Sequence, residues 1–561
     1  VPGTTPARRL KKRKFSVACL CPSTVAHAGS LCMLDWWRGR NMVLTSPRAL
    51  LYNGILMSAC FAGLEGCIIA TINLSAAIIS TGGIVKCSPH GIASMANGVL
   101  YLFFSLSSFI APPIVDYLGA KRTMILAMAL YSLYLAAYIV ANPILLLINA
   151  GIGGTAGACL WVAQGVYFTR NAQAYDAARR AVATPARFYC IGRDSITAFA
   201  GIFAVTFQLV TTLAKPTAAV LLTLYPDDRT VLFAVLTAAG AVCTLAMCLV
   251  APMRKTTDDT EQPPPPSLPP SPPPSHSQYM GANGESPSIT QTAAPAPQTI
   301  GLVDVPIVEA NAPPPRPPRN PSTAAKCCGD RNSNLLLLFC DSNALLITPY
   351  NAAFGLSTAF FPSHVTVLTK AVFSSGGDAA QGAAAVGWMY TIAGLSSAVI
   401  AAASAIAAQR FQWARSLTML LGSAAFSTAC FLAALGGKGT EADTGCPDFS
   451  TFVLGAMFLC YGLGVAAWQG SCMALIGDLF REDPRAAFAH LKLTSGICSF
   501  IGFFTLPLLS LRRAALVTLA TNAFGALGFI ALLVRRRAEE VESTRASVAE
   551  VTATPFVRTS G

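Results

Sequence analysis

The sequence predicts an all-α membrane protein of about twelve transmembrane helices, arranged as two pseudo-symmetric six-helix bundles. Hydrophobic residues make up 53% of the 561-residue chain, charged residues only 12%, and the mean hydropathy is +0.54. Soluble domains carry about 25% charged residues, so most of this chain cannot face water. Apolar segments near the length of about 20 residues that crosses a bilayer recur along the chain. A proline-rich segment divides them into two sets of six.

Hydropathy places the twelve spans, each near the length that a bilayer requires. The boundary of span 12 is the least well defined, because Arg512 and Arg513 come directly before it. The predicted spans, numbered 1 to 12 in chain order, are 50–72, 92–114, 122–141, 144–168, 195–214, 230–251, 344–368, 384–408, 416–436, 450–476, 493–511 and 514–534.

The spans divide the chain into five segments. More than half of the 37 prolines lie between spans 6 and 7, and a segment of that composition is expected to stay disordered. The predicted segments are a cytosolic basic N-terminal tail (1–49), a first six-helix bundle (50–251), a disordered proline-rich cytosolic loop (252–334), a second six-helix bundle (335–536) and a cytosolic C-terminal tail (537–561).

Basic residues in the short loops predict the orientation of the spans. With the N-terminus inside, we count 12 Lys and Arg residues in the inner loops, including Lys492, and 7 in the outer loops, including Lys215 and Lys370. The RRLKKRK segment at 8–14 and the RRR segment at 535–537 agree with this direction. Both termini are therefore expected in the cytosol. The same bias explains the net charge of +13 without nucleic acid as a partner.

The two halves of the chain resemble each other in sequence. Predicted span 4 contains LWVAQG (160–165) and predicted span 10 contains AAWQGS (466–471). Gln164 and Gln469 thus occupy matching places. Weak repetition of a six-span unit is typical of transporters with two-fold architecture.

The segment between spans 2 and 3 reads APPIVDYLGAKR (111–122) and carries a D-x-x-G-x-[KR]-R pattern. Gly119 permits a tight reversal between two helices. The Asp116 carboxylate can cap a helix or hold Arg122, next to Lys121. Such contacts would latch the two halves in one state of an alternating-access cycle. A plain turn with a topogenic charge pair is the alternative interpretation.

This loop resembles the signature loop between spans 2 and 3 of the major facilitator superfamily, and the surrounding sequence resembles the uncoordinated-93-like branch of that superfamily. The similarity is strong over 50–170 and patchy over 340–535. The residues that carry it are Tyr131 and Tyr134 in span 3, Trp161, Gln164, Gly165 and Tyr167 in span 4, and Asn351, Phe354, Gly355, Phe360 and Phe361 in span 7.

The resemblance implies a twelve-span fold and no catalytic motif. It does not imply one activity, because members of the family are described as regulators of potassium channels, as trafficking partners of receptors, or as candidate transporters. The chain itself contains no nucleotide-binding loop, nucleophile elbow or CxxC metal motif. We therefore expect no enzyme activity, no cofactor and no metal site.

Glu65 lies near the middle of predicted span 1, in FAGLEGCII. A carboxyl group at that depth costs about 2.5–3.5 kcal/mol on insertion scales, so it should not face lipid. It is either a proton-coupling or substrate-pairing group in a central cavity, or a neutral carboxyl hydrogen-bonded to a neighbouring helix. We identify no certain intramembrane Lys or Arg partner for it. Gln164, Asn351 and Gln469 are further candidates for the cavity, although helix–helix hydrogen bonding explains most intramembrane amides.

Two functions follow as hypotheses. The first is a secondary transporter that moves a small-molecule solute across the lipid bilayer, with proton coupling through Glu65. The second is a non-transporting regulator or trafficking partner of an ion channel or membrane receptor. Transport would place the solute between spans 1, 4, 7 and 10, whereas regulation would require another membrane protein as partner.

Overall fold

The computed structural model describes residues 46–79, 91–140, 142–181, 195–226, 228–253, 341–374, 379–411, 413–436, 449–480 and 484–553. Most of the N-terminal tail, nearly all of the proline-rich loop and the end of the C-terminal tail lie outside these residues. Within them the chain is helical without strands. Eleven helices are long and apolar enough to cross a membrane, and one bent pair of helices makes a twelfth span if counted as one.

The helices follow the predicted spans in order, and several extend beyond the predicted limits. Their bounds are Pro47–Ile79, Ile92–Ser107 with Ala111–Leu118, Ala120–Val140, Pro143–Ala181, Ser195–Leu224 and Arg229–Met247 for spans 1 to 6. For spans 7 to 12 they are Ser342–Phe373, Ala379–Arg410, Ala414–Gly436, Thr451–Leu479, Pro484–Thr505 with the 3₁₀ turn Leu506–Leu508, and Leu511–Ala553.

Span 2 is bent by 66° between its two helices. Pro112 and Pro113 open the second helix, where a missing backbone N–H is tolerated. The single span predicted over 92–114 thus consists of two helices, and the second of them extends to Leu118. The bend directs the second helix toward the loop that carries Asp116 and Gly119.

The helix contacts repeat between the two halves of the chain. In the first half span 1 packs on spans 5 and 6, span 2 on span 4, and span 3 on spans 4 and 6. The second half repeats every one of these contacts between spans numbered six higher. The halves meet where span 5 packs on span 8 and span 2 on span 11, a set of contacts that is unchanged when the halves are exchanged. The two predicted pseudo-symmetric six-helix bundles are confirmed.

Glycines set the closest helix approaches at equivalent places of the two halves. A Cβ added to Gly154 would lie 2.1 Å from the Leu100 carbonyl oxygen, where span 4 crosses span 2. A Cβ added to Gly462 would lie 2.1 Å from the Ala393 carbonyl oxygen, where span 10 crosses span 8. Only a residue without a side chain fits at these crossings, as expected for membrane helices that pack through small residues.

Large apolar side chains cover the outer face of the bundle. Leu245, Val399 and Phe524 are each more than 60% exposed. On a protein in water such a surface would drive aggregation, but in a bilayer it meets lipid. The fold therefore leaves its polar side chains to the interior.

Candidate functional site

A cavity of about 130 Å³ lies between the two halves. That volume is many times what one ordered water needs. Spans 1, 4, 7 and 10 line it, as expected, together with spans 2, 3, 5 and 11. Charged, polar and aromatic side chains dominate its wall, among them Glu65, Tyr131, Trp161, Gln208, Thr211, Lys215, Phe354, Trp468, Gln469 and Lys492.

Glu65 faces this cavity from span 1 and is 4% exposed. Lys492 attracts its carboxylate electrostatically, and Trp161 lines the same cavity. Its Oε1 atom has no hydrogen-bond partner among the described residues. A buried carboxylate oxygen left open to a cavity is available to a proton or to a ligand.

Lys492 lies inside span 11, two turns after the helix begins at Pro484. Its Nζ atom lies 3.3 Å from the centroid of the Trp161 ring and 4.5 Å from that of the Trp468 ring. Two aromatic faces stabilise the buried cation by cation–π attraction. No contact of 4.0 Å or less joins Lys492 to Glu65, although the structure describes both residues. The carboxylate and the ammonium group therefore attract each other across part of the cavity.

The placement of Lys492 corrects the sequence prediction that began span 11 at residue 493 and counted this lysine in a loop. It also places a lysine near Glu65, for which the sequence offered no certain intramembrane Lys or Arg partner. The sequence contains a pattern that indicates the position of Lys492 within a helix. Lys492, Ser495 and Ser499 recur at helical spacing, and all three line the cavity. The polar face lowered the hydropathy of the helix start and so displaced the predicted boundary.

Lys215 and Lys370 were likewise counted in outer loops and lie in helices instead. Lys215 is 8% exposed and lines the cavity from span 5. Lys370, in span 7, donates a hydrogen bond of 2.5 Å to the Ala77 carbonyl oxygen at the end of span 1. This contact joins the two halves at the end of the bundle opposite the loop of Asp116 and Gly119.

Trp468 and Gln469 lie in a π-helical turn, Ala467–Cys472, within span 10. Turns of this kind recur at functional sites because they redirect side chains from a regular helix. The Trp468 ring stacks on Phe354 of span 7, with centroids 3.8 Å apart and planes 1° from parallel. Behind it, the Asn351 Oδ1 atom accepts from the indole N–H at 3.2 Å and from the Cys472 thiol at 3.5 Å. Asn351 thus positions a cavity wall without lining the cavity.

The two matching glutamines reach different places. Gln469 lines the central cavity and accepts a hydrogen bond from Gln208 of span 5, across the two halves. Gln164 lines a smaller cavity of about 30 Å³ nearer the loop of Asp116, which Gln469 also borders. Beside it, a Cβ on Gly165 would lie 2.9 Å from the Phe488 ring of span 11. A role of these residues in coupling stays a prediction.

The loop between spans 2 and 3 forms the expected tight turn. Gly119 has φ of +82°, a conformation that side chains disfavour. Lys121 donates to the Cys248 carbonyl oxygen at 2.9 Å, which joins span 3 to the end of span 6 in the same half. Arg122 follows on the first turn of span 3. A latch between halves through Asp116 and Arg122 stays a prediction.

The remaining motif residues hold the first half together. The Tyr167 hydroxyl donates to the Ala251 carbonyl oxygen at 2.5 Å and accepts from Asn53 at 2.5 Å. The Tyr134 hydroxyl donates to Asn97 of span 2 at 3.2 Å. Tyr131 lines the cavity. Some residues of the motif therefore pack spans 1 to 4 together, and others form part of the cavity wall.

The described residues contain no group of three or more His, Cys, Asp or Glu side chains that could hold a metal ion. The charged groups that the cavity offers a ligand are one carboxylate and two lysines.

Comparison with known proteins places the chain among membrane proteins of this architecture. The family model described as ion channel regulatory protein UNC-93 matches residues 88–530. An UNC93-like protein MFSD11 of Xenopus laevis is 33% identical over 99 residues, which cover 18% of this chain and 22% of that protein. A protein unc-93 homolog A of Bos taurus is 32% identical over 124 residues, 22% of this chain and 25% of that protein. These matches thus span about a quarter of each relative.

Solved structures share the fold at low sequence identity. A bacterial homologue of the human drug peptide transporters PepT1 and PepT2 matches with a TM-score of 0.52 and 12% identity, over 88% of this chain and 99% of that one. The predicted major facilitator superfamily fold is confirmed.

Proposed function

The chain belongs to the UNC-93 family of multi-pass membrane proteins, and from this premise we propose that it is a secondary transporter that moves a small solute by alternating access. One observation carries the proposal: Glu65 of the first half and Lys492 of the second half face one cavity between the halves. A ligand that touches both halves makes their relative position depend on occupancy, as a carrier requires.

Glu65 and Lys492 supply a means of coupling. With both side chains ionised, the pair is neutral, and each charge is stabilised by the other. A proton on Glu65 removes the attraction and leaves Lys492 held by the faces of Trp161 and Trp468. The cation is then free to attract a solute. Proton and solute binding thereby favour each other through a change of charge at buried groups.

The contacts between the halves suggest which parts move. The seams of span 5 on span 8 and span 2 on span 11 run between the halves and serve as the axis of rocking. The Lys370 bond to Ala77 closes one end of the path. The Gln208 bond to Gln469 lies between the halves beside the cavity. During alternating access the Lys370 bond to Ala77 would break when that end opens. The contacts of span 5 with span 8 and of span 2 with span 11 would be preserved.

The orientation of the carrier follows as part of the proposal. With Lys215, Lys370 and Lys492 removed from the loops, the short loops carry 11 basic residues on one side and 5 on the other. The stronger asymmetry supports cytosolic termini. The loop of Asp116 would then face the cytosol, and the Lys370 contact would close the outer end.

Proton flux across a liposome membrane tests the proposal. The same readout serves every class of solute, so the classes can be tried in turn. Purified protein in liposomes loaded with a pH-sensitive dye is challenged with separate small organic acids, amino acids and nucleosides. At least one class should cause a solute-dependent proton movement. Glu65→Gln should abolish this proton movement. Exchange of solute across the membrane of liposomes preloaded with that solute should continue.

Glu539→Gln is the matched control, because Glu539 is an exposed carboxylate paired with Arg535 at the end of span 12. It should behave as the wild type. Undiminished proton movement in Glu65→Gln would remove Glu65 from the mechanism. Absence of both proton movement and exchange for every solute class would contradict transport.

A second candidate function is regulation of another membrane protein. The description of the family model as an ion channel regulatory protein favours it. Purification of the tagged full chain in mild detergent should then recover a channel or receptor at fixed stoichiometry. Recovery of the chain alone, together with solute-dependent proton movement, would favour the transporter.

A further inference from the structure

Lys215 is a buried cation with no partner in the described residues. It is 8% exposed, and it makes neither a hydrogen bond nor an ion pair in that part of the chain. Its Nζ atom lies 3.0 Å from the place where a Cβ on Gly394 of span 8 would stand, so the glycine leaves room for the ammonium group. An unpaired buried charge is costly, and such groups within membranes mark substrate sites.

The side chain belongs to a polar face that is directed into the cavity. Gln208, Thr211 and Lys215 recur at helical spacing on span 5, and all three line the cavity. Neither Lys215 nor Lys492 lies within 4.0 Å of the Glu65 carboxylate, although the structure describes all three residues. The cavity wall thus carries two lysines and one carboxylate. The charge that the cavity lacks is a single negative one.

The rest of the cavity wall is suited to a flat apolar body. Eight of its 22 lining residues are aromatic. The parallel Phe354 and Trp468 rings form one part of the wall, and the Trp161 ring, against Lys492, forms another. Aromatic faces bind planar ligands through area burial and offset stacking. Hydroxyl and amide groups from Thr211, Gln208 and Gln469 can donate to a ligand oxygen.

From these features we infer that the cavity binds a small organic carboxylate with a flat apolar body, whose carboxylate pairs with Lys215. This inference names the solute class of the proposed transporter. Transport of the ligand rests on the proposed function, whereas binding of the ligand depends only on the residues that line the cavity. Lys215 supplies the charge, the aromatic walls supply the shape, and protonation of Glu65 frees Lys492 to add to the attraction.

Matched probes test the carboxylate preference directly. The full chain, purified in detergent, is heated with benzoate, naphthoate, benzamide, benzylamine or inorganic phosphate, and the shift of the melting temperature is measured over ligand concentration. Benzoate or naphthoate should stabilise the protein. The neutral isostere benzamide, the cation benzylamine and phosphate should bind at least about tenfold more weakly, because they lack either the charge or the flat body.

Variants assign the preference to Lys215. Lys215→Met should fold normally, since a buried charge is replaced by an apolar chain of similar length. It should lose the preference for benzoate over benzamide, and Lys215→Arg should retain part of it. Arg535→Met removes a basic side chain at the exposed end of span 12, far along the chain from the cavity-lining residues, and should retain the full preference.

Four binding results would overturn the inference, and one transport result would separate it from the proposed function. Equal binding of benzoate and benzamide, stronger binding of benzylamine or phosphate, or no binding of either carboxylate would contradict the solute class. A preference that persists in Lys215→Met would contradict the role of this lysine. Carboxylate binding that depends on Lys215, combined with no exchange or proton movement in liposomes, would uphold the binding site and contradict transport alone.

Discussion

The Lys492 ammonium group lies 3.3 Å from the centroid of the Trp161 ring and thereby joins span 11 of the second half to span 4 of the first half. Glu65 of span 1 lines the same cavity as this ring and this lysine. The Lys492 cation attracts the Glu65 carboxylate from its place against the Trp161 face. A change in charge at either group alters the electrostatic energy of the other, although no ion pair of 4.0 Å or less joins them.

The first prediction concerns the energetic coupling of this pair. Lys492→Met should destabilise the folded protein by about 1–3 kcal/mol, because it leaves the Glu65 carboxylate without its cation. Glu65→Gln combined with Lys492→Met should cost less than the sum of the two single changes, by about 1 kcal/mol or more. Denaturant unfolding in detergent micelles, followed by circular dichroism, measures all three. Glu539→Gln combined with Lys492→Met should be additive, and additivity for the Glu65 cycle would show that the two charges do not interact.

The sequence predicted the architecture better than the site, and the reason is physical. Hydropathy summed over about 20 residues is insensitive to one polar face, so the spans were found in the correct order. The same summation fails for a helix that lines a cavity, because its polar face lowers the average at one end. Span 11 was therefore shortened, and Lys492 was assigned to a loop. Lys215 was displaced in the same way by the polar face that it shares with Gln208 and Thr211.

Glu65 could be identified from the sequence because a lone carboxylate stands out within an apolar segment. Its surroundings could not, since Trp161, Trp468 and Lys492 come from three spans that are distant in sequence. The role of Asn351 shows the same limit. Its position in span 7 suggested a cavity residue, and only the packing of span 10 reveals that it supports Trp468 from behind.

The second prediction tests the close helix crossings. Gly154→Ala and Gly462→Ala should each reduce stability by about 1–3 kcal/mol or more, because the new methyl group would overlap a backbone carbonyl oxygen of the facing helix. Gly455→Ala is the matched control within span 10, because no atom lies within 4 Å of its added Cβ. Folded yield and melting temperature in detergent provide the measurement. Equal effects at Gly154 and Gly455 would refute the close approach of spans 2 and 4.

The third prediction concerns the Lys370 contact with Ala77. Lys370→Met removes a charge-assisted hydrogen bond that joins the halves at one end, so the state open at that end should become more populated. A cysteine introduced by Asn73→Cys, in the cavity on span 1, should then react roughly tenfold faster with a membrane-impermeant maleimide added on that side. Lys370→Arg should react at close to the original rate. An unchanged rate in Lys370→Met would show that this bond does not hold the end closed.

The fourth prediction concerns the support of the aromatic wall by Asn351. Asn351→Leu leaves the Trp468 indole N–H without an acceptor in a buried place, so the ring should lose its fixed position against Phe354. The apparent KM for the transported solute should rise several-fold, and the maximal rate should change less, because Asn351 touches the wall and not the groups that couple. Asn149→Leu, at a half-buried asparagine of span 4 whose amide donates to Leu145 of the same helix, should leave both values unchanged. A fall in maximal rate at constant KM would instead assign Asn351 to the conformational step, where it would act through span 7.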